Sequence, residues 1–242
     1  MPGDAIEPPG GHAMRQLALD LRRVEVPTLE NFVAGRNVEV LAQLCLLRAG
    51  TSTAGAPLIY LWGEPGCGKS HLLQALAGEA GMLGPEAPIA AFAAAIERAG
   101  PSIVAIDDCE RLDAARQQLA FQLLNHARAR PGATVLAAGA QPPLALALRD
   151  DLRTRLGSGL VYRLHLLTDQ EKAAVLGRVA AGRGVMVSPD VVPWLIAHTS
   201  RDIRALLRLF DALDRYAFER RRAITLPLLR ELEAAGALIK SG

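Results

Sequence analysis

The octapeptide GEPGCGKS, residues 63–70, constrains the fold and the chemistry of this chain more than any other stretch of its sequence. It satisfies the pattern GxxxxGK[ST] and lies between an apolar run, LIYLW, and a segment with helical periodicity, KSHLLQALA. The glycines let the backbone curl so that its N–H groups face phosphate oxygens, and the helix that begins at Lys69 adds a partial positive charge. This pattern predicts a phosphate-binding loop; a tight glycine turn without a ligand is the alternative. The residues expected to contact the nucleotide here are Gly63, Glu64, Pro65, Gly66, Cys67, Gly68, Lys69, Ser70 and His71.

Within such a loop, each polar side chain has its own task. Lys69 is expected to reach the β and γ phosphates, and Ser70 to hold Mg²⁺. Two acids follow a second apolar run, in the stretch SIVAIDD. We expect Asp107 to hold the magnesium ion through water and Asp108 to orient an attacking water molecule. Without the phosphate loop, the same pair would be interpreted as polar residues that end a strand.

From Leu58 onward, short apolar runs alternate with helical segments, which predicts an α/β domain with a mostly parallel sheet. The expected strands are LIYLWG, SIVAIDD, ATVLAAG and LVYRLHLL. A helix is expected from Ala114 to Arg130, where a Pro-Gly pair stops it. The segments from Thr168 to the end are typical of helices. The sequence therefore predicts a parallel sheet flanked by helices, followed by a small all-helical subdomain.

The charge and the cysteine content argue against several classes of protein. The 242 residues carry 27 basic and 25 acidic side chains, a net charge of +2, so no broad electrostatic surface for nucleic acid is expected. Three cysteines without CxxC spacing suggest neither a disulfide framework nor a zinc site, and they fit a reducing cytoplasm. No stretch has the composition of a signal peptide or a membrane span, which predicts a cytoplasmic protein without a membrane partner.

The peptide MRQLALDL, residues 14–21, precedes every segment that is typical of a folded domain. Its leucines alternate as in a half-buried β-strand, but the stretch lacks β-branched residues and a proline follows soon after it. The alternative is an extended peptide that docks on another protein and places alternate side chains in pockets. Residues 1–13 are rich in proline and glycine and are expected to be disordered.

Several segments together resemble the AAA+ ATPases of the bacterial replication-initiator group. They are TLENFVAGRNVEVLAQL, GEPGCGKSHLLQALA, AAGAQPPLALALRDDLRTRLGSGLVYRL, TSRDIRALLRLFDALDRYA and AITLPLLREL, and the resemblance covers roughly residues 15–238. Within the group, the chain is most similar to the regulatory inactivators of the initiator DnaA, which lack a DNA-binding domain. The resemblance implies a clamp-binding peptide at 14–26, an AAA+ nucleotide-binding subdomain at 27–166 and a helical lid subdomain at 167–242.

The resemblance favours the docking interpretation of the leucine peptide. QLALDL is similar to the peptide with which replication proteins bind the sliding clamp of DNA polymerase III. The clamp-binding residues that this implies are Gln16, Leu17, Leu19 and Leu21.

Other residues receive roles from the resemblance alone. Arg155 would be the arginine finger that reaches into the nucleotide site of a neighbouring DnaA, with Arg153 as its competitor. Arg204 would contact the protein's own nucleotide, and Val33 belongs to a segment that lies against the adenine. Ala140 departs from the family pattern, because the initiators usually carry there an acidic residue that senses the γ phosphate. This departure argues against efficient ATP hydrolysis by the chain itself.

The implied function is control of chromosomal replication. The chain would bind ADP or ATP with Mg²⁺, dock on the clamp and through it on DNA, and stimulate ATP hydrolysis by DnaA to prevent re-initiation; a homodimer is compatible with this. One alternative is a helicase loader that acts on single-stranded DNA and the replicative helicase, for which a helicase-binding region before the ATPase domain would be expected. Another is a clamp-loader subunit, for which a C-terminal collar domain would be expected.

Three further features are interpreted as structural. The run ERRR at 219–222 is expected to be a solvated helix end. His71 is expected on the surface of its helix, and Trp62 and Trp194 are expected in the core.

Overall fold

The computed structural model describes residues 26–50, 58–98, 102–198 and 202–234. The predicted extension at 1–13 and the leucine peptide at 14–21 lie outside these residues, so both remain predictions. Among the described helices, none is long and apolar enough to cross a membrane.

A five-stranded parallel sheet forms the first part of the chain. Its strands are β1 (Leu58–Trp62), β2 (Met82–Leu83), β3 (Ser102–Ile106), β4 (Ala133–Gly139) and β5 (Leu160–Arg163), in the order β2-β3-β4-β1-β5. Because β1 lies between two other strands and both faces are covered, it is apolar almost throughout. The order also places the carboxyl ends of β1, β3 and β4 side by side, which is where parallel sheets bind their ligands.

Helices flank the sheet and follow it. They are α1 (Val38–Arg48), α2 (Lys69–Ala77), α3 (Ile89–Glu97), α4 (Ala114–Ala129), α5 (Asp150–Gly157), α6 (Asp169–Arg183), α7 (Val191–His198), α8 (Ile203–Arg220) and α9 (Leu226–Ala234). Asp113, Thr168 and Asp202 cap α4, α6 and α8 by accepting hydrogen bonds from backbone N–H groups of the first turn. These caps set where the helices begin, independently of tertiary packing.

The two faces of the sheet carry separate hydrophobic layers. Successive strand residues point to opposite faces, so Tyr60 and Ile106 pack with α3, α4 and α5, whereas Leu61 and Leu136 pack with α1 and α2. Helices α6 to α9 enclose a third core, in which Phe210 is fully buried. The predicted fold class, a parallel sheet flanked by helices with a helical part after it, is confirmed.

Strand β2 and helix α3 are among the elements that the sequence analysis did not predict. Strand β2 has only two residues, too few to show a period, and α3 is apolar almost throughout, so its helical periodicity is weak. One isolated parallel bridge, between Val187 and Ile224, also lies within the helical part.

Among the features interpreted as structural, the two tryptophans and residues 219–222 lie close to where they were expected. Trp62 and Trp194 are each only partly buried and pack against the edge of a core layer. Residues 219–222 are exposed at the end of α8, as predicted.

Candidate nucleotide site

The GEPGCGKS loop leaves the carboxyl end of β1 and enters α2 at Lys69. At two glycines of this loop, neighbouring atoms leave no room for a side chain. A Cβ atom at Gly63 would lie 2.4 Å from the carbonyl oxygen of Leu164, and one at Gly68 would lie 2.6 Å from Cε2 of Phe32. Gly68 also has a φ of +99°, a conformation that residues with a side chain rarely adopt. The loop therefore keeps its curl only with glycine at these two positions.

Lys69 is a buried cation inside the loop, with 9 % of the residue exposed. Its Nζ donates to the carbonyl oxygens of Gly63 at 2.7 Å and Glu64 at 3.2 Å, and lies 3.9 Å from Sγ of Cys67. Among the described residues, no carboxylate lies within ion-pairing distance of this ammonium group. Because a buried charge without a counter-charge is unfavourable, a phosphate group fits this position.

The residues predicted for the metal and for the attacking water follow β1 and β3 at the same edge of the sheet. Ser70 is exposed on the first turn of α2. Oδ1 of Asp107 accepts a hydrogen bond from the backbone N–H of Asp108 at 3.0 Å, and Oδ2 of Asp108 accepts one from Arg111 at 3.1 Å. In the described part of the chain, no group of three or more His, Cys, Asp or Glu residues could hold a metal ion. A magnesium ion here would therefore depend on Ser70, Asp107, water and phosphate oxygens, the hard ligands that it prefers.

A cleft opens beside the loop. Its walls come from the segment before α1, from the loop and the start of α2, from the stretch after β5 and from the start of α8. Apolar walls beside a phosphate-binding loop suit a nucleotide base. The predicted site residues that line this cleft are Val33, Gly66, Cys67, Gly68, His71 and Arg204. Phe32, Leu167 and Leu207 line it too, although the sequence analysis gave them no role.

The leading segment, residues 26–37, is tied to the rest of the site by contacts that the sequence analysis missed. Asn37 is 3 % exposed, and its side chain bonds both backbone groups of His165: Nδ2 donates to the carbonyl at 2.9 Å, and Oδ1 accepts from the N–H at 2.8 Å. An asparagine before a helix is usually interpreted as a cap, but Asn37 makes no capping hydrogen bond to α1. Its true role depends on a partner far away in the sequence.

The prediction that His71 belongs to the helix surface is wrong. Only 4 % of the residue is exposed, its Nε2 lies 2.8 Å from the carbonyl oxygen of Thr28, and its ring centre lies 5.5 Å from that of Phe32. The leading segment covers the side of the first turn of α2 that carries His71, whereas Ser70 on the same turn stays exposed. Burial lowers the pKa of His71; the Thr28 carbonyl opposes this, nearby Arg204 lowers the pKa further and Asp202 raises it. A neutral imidazole that donates from Nε2 fits this environment.

The backbone directly after β4 is hydrogen-bonded to the side chain of Glu110, an acidic residue that no sequence motif marked. The backbone N–H of Ala140 donates to Oε1 of Glu110 at 3.0 Å, and the hydroxyl of Tyr60 donates to the carbonyl of Gln141 at 2.8 Å. The side chain of Ala140 itself supplies no polar group to the sheet edge. Position 140 therefore contributes only backbone atoms to any reaction here.

The two arginines assigned by resemblance lie in different places. Arg204 lines the cleft at the start of α8. Arg155 lies on α5 outside the cleft lining, and its Nη2 donates to Oδ1 of Asn125 on α4 at 2.5 Å. Arg153, two residues earlier, is paired with Asp150 at 2.7 Å. Only one of these arginines is thus placed to meet a ligand in the chain's own cleft.

The sequence matches one protein family and a full-length relative. The family model of the Hda lid domain matches residues 169–232, which span α6 to most of α9. An uncharacterized protein of Haemophilus influenzae is 30 % identical over 229 residues, and the match covers 90 % of this chain and 98 % of that protein.

Solved structures show the same fold at lower identity. Domain III of the replication initiation protein DnaA of Thermotoga maritima has a TM-score of 0.60 and 16 % identity, over 86 % of this chain and 95 % of that one. The Holliday junction branch migration motor RuvB of the same organism has a TM-score of 0.62 and 19 % identity, over 86 % of this chain and 72 % of that one. At such identities the similarity concerns the fold.

Proposed function

Because this chain belongs to the family of Hda- and DnaA-related AAA+ proteins, we propose that it regulates replication initiation by stimulating ATP hydrolysis in DnaA. In this proposal it binds ADP or ATP in the cleft, docks on the sliding clamp through residues 14–26, and inserts Arg155 into the nucleotide site of DnaA. Hydrolysis there converts the initiator to its ADP form and prevents re-initiation.

The cleft and the loop support nucleotide binding. Lys69 supplies the buried positive charge for the phosphates, and the leading segment with Val33 supplies an apolar wall for the base. Arg204 lines the same cleft from the start of α8, so a bound nucleotide would connect the sheet with the helical part. A magnesium ion, held through Ser70 and Asp107, would neutralise phosphate charge.

The position of the leading segment supports clamp docking. Val26, the first described residue and the last of the predicted clamp peptide, is 72 % exposed. Burying three leucines contributes about 5 to 9 kcal/mol, while ordering six residues costs about 6 to 12 kcal/mol, so a single peptide would bind weakly. Two binding sites on a ring-shaped clamp would raise the effective affinity.

The observation that carries the proposal is the environment of Arg155. Its guanidinium group lies outside the cleft of its own chain, and among the described residues no carboxylate pairs with it. Its charge is therefore available to another molecule. An arginine supplied in trans can accelerate phosphoryl transfer by about 10³ to 10⁵, because it stabilises charge that develops in the transition state.

A reconstitution tests this function directly. DnaA loaded with labelled ATP is mixed with clamp on DNA and with this protein, and the conversion of bound ATP to ADP is followed. We expect fast conversion only in the complete mixture, and slow conversion when either the clamp or this protein is omitted. If the complete mixture converts ATP no faster than DnaA with clamp alone, the proposed function is wrong.

A further inference from the structure

The guanidinium group of Arg155 is held by a neutral side chain from the neighbouring helix. We propose that Asn125 on α4 is the positioning residue of the finger: it orients Arg155 for the partner's nucleotide without neutralising its charge. This inference rests on the proposed function and adds a residue to it. Asn125 does not line the cleft, and no sequence motif marks it.

The contact is direct and joins two helices. Nη2 of Arg155 donates to Oδ1 of Asn125 at 2.5 Å, and both residues are only partly exposed. Because a guanidinium group has only donors, the asparagine must present its carbonyl oxygen. Arginine has many rotamers, and a side chain that is already oriented loses less conformational freedom when it engages a phosphate.

The neutrality of the partner distinguishes Arg155 from its neighbours. Arg153 is paired with Asp150 at 2.7 Å, and Arg149, at the start of α5, is paired with Asp151 at 2.7 Å. A carboxylate at position 125 would compete with the phosphate for the guanidinium group. An amide orients the group with one hydrogen bond and leaves its other N–H donors available.

Two substitutions at this position separate orientation from charge. Asn125→Asp keeps the size and the acceptor but adds a negative charge, while Asn125→Ala removes the acceptor. Gln118→Glu is the matched control, because Gln118 lies on the same helix and its amide oxygen accepts from Arg149. Each variant is measured in the complete reconstitution over a range of concentrations, which separates the maximal rate of DnaA-bound ATP hydrolysis from the concentration at half effect.

We expect Asn125→Ala to lower the maximal rate about tenfold, since it removes a hydrogen bond to a charged group. Asn125→Asp should lower it more, by about a hundredfold, although it is the closer replacement in shape. For both, the concentration at half effect, ADP binding and the melting temperature should stay near those of the unmodified protein. Gln118→Glu should keep the maximal rate within about twofold, because it places its charge beside a different arginine.

Three results would overturn the inference. One is a maximal rate within twofold of the unmodified protein for both Asn125 variants while Arg155→Ala abolishes stimulation; the proposed function would then survive and the positioning role would not. Another is a larger loss for the alanine than for the aspartate variant together with a lowered melting temperature, which would assign Asn125 to packing. If Arg155→Ala itself stimulated fully, the finger and its positioning residue would both be wrong.

Discussion

Nε2 of His71 lies 2.8 Å from the carbonyl oxygen of Thr28, and this contact joins the phosphate-loop helix to the leading segment. Arg204 and Asp202, from the start of α8, lie close enough to influence the pKa of the same imidazole. Three parts of the chain that line the cleft therefore meet at one buried ring. Thr28 also lies two residues after the predicted clamp peptide, residues 14–26.

Burial of His71 predicts a specific loss of stability in mild acid. Because its pKa is lowered in the folded state, the unfolded chain takes up the proton first once the pH falls below about 6.5. Its contribution is constant above that pH and weakens the fold below it, with a slope of at most about 1.4 kcal/mol per pH unit. We expect His71→Gln, whose amide can still donate to Thr28, to lose less free energy of unfolding between about pH 7 and pH 5.5.

Urea unfolding at several pH values measures this difference. The matched control is His198→Gln, which makes the same substitution at an exposed histidine beside Trp194. An identical pH dependence for His71→Gln and the unmodified protein would show that His71 does not titrate differently in the two states.

Lys69→Ala should abolish detectable ADP binding. The substitution removes the cation from the phosphate loop, while the buried ammonium group has no carboxylate partner among the described residues whose loss would destabilise the fold. We therefore expect a melting temperature without ADP that does not fall, and no increase when ADP is added. Lys172→Ala is the control: Lys172 is also buried, but it is paired with Asp169 and does not line the cleft. Unchanged ADP affinity of a folded Lys69→Ala protein in calorimetry would contradict the assignment of the phosphate loop.

Gly68→Ala should weaken ADP binding through the leading segment. The added Cβ would lie 2.6 Å from Phe32 in a backbone conformation that alanine rarely adopts, so either the loop or Phe32 in the leading segment must move. Gly177→Ala makes the same chemical change in the middle of α6, where nothing lies within 4 Å of the new atom. It should raise the free energy of unfolding by about 0.5 to 1 kcal/mol and leave ADP binding unchanged. Equal ADP affinity of the two variants would show that the contact between Gly68 and Phe32 does not shape the site.

The sequence alone yields a prediction where the signal is local. The phosphate loop places Lys69 within one short motif, and the alternation of apolar runs and helical segments predicts the sheet. The same kind of pattern could not reveal Asn37, because its role depends on His165, which lies 128 residues later in the chain. Nor could it reveal that His71 is buried, since a helix is covered or exposed according to what folds over it.

The leucine peptide should be separable from the fold. Replacing Gln16, Leu17 and Leu19 together by alanine should remove clamp binding and leave the melting temperature nearly unchanged, because a docking peptide contributes little to the core. Clamp binding is measured by surface plasmon resonance, and ADP binding by the same protein serves as the control for folding. A large fall in melting temperature would instead support the interpretation of this stretch as a first β-strand.

Arg155→Ala should leave the fold, ADP binding and clamp binding intact while abolishing the stimulation of ATP hydrolysis in DnaA. Arg155→Lys should restore little, because a point charge does not reproduce the planar guanidinium fork that contacts phosphate oxygens. Arg153→Ala is the matched control: it removes an arginine from the same helix whose charge is already paired with Asp150. If the Arg153 variant lost stimulation and the Arg155 variant kept it, the finger would be Arg153, and the pairing with Asp150 would have to break before it could act.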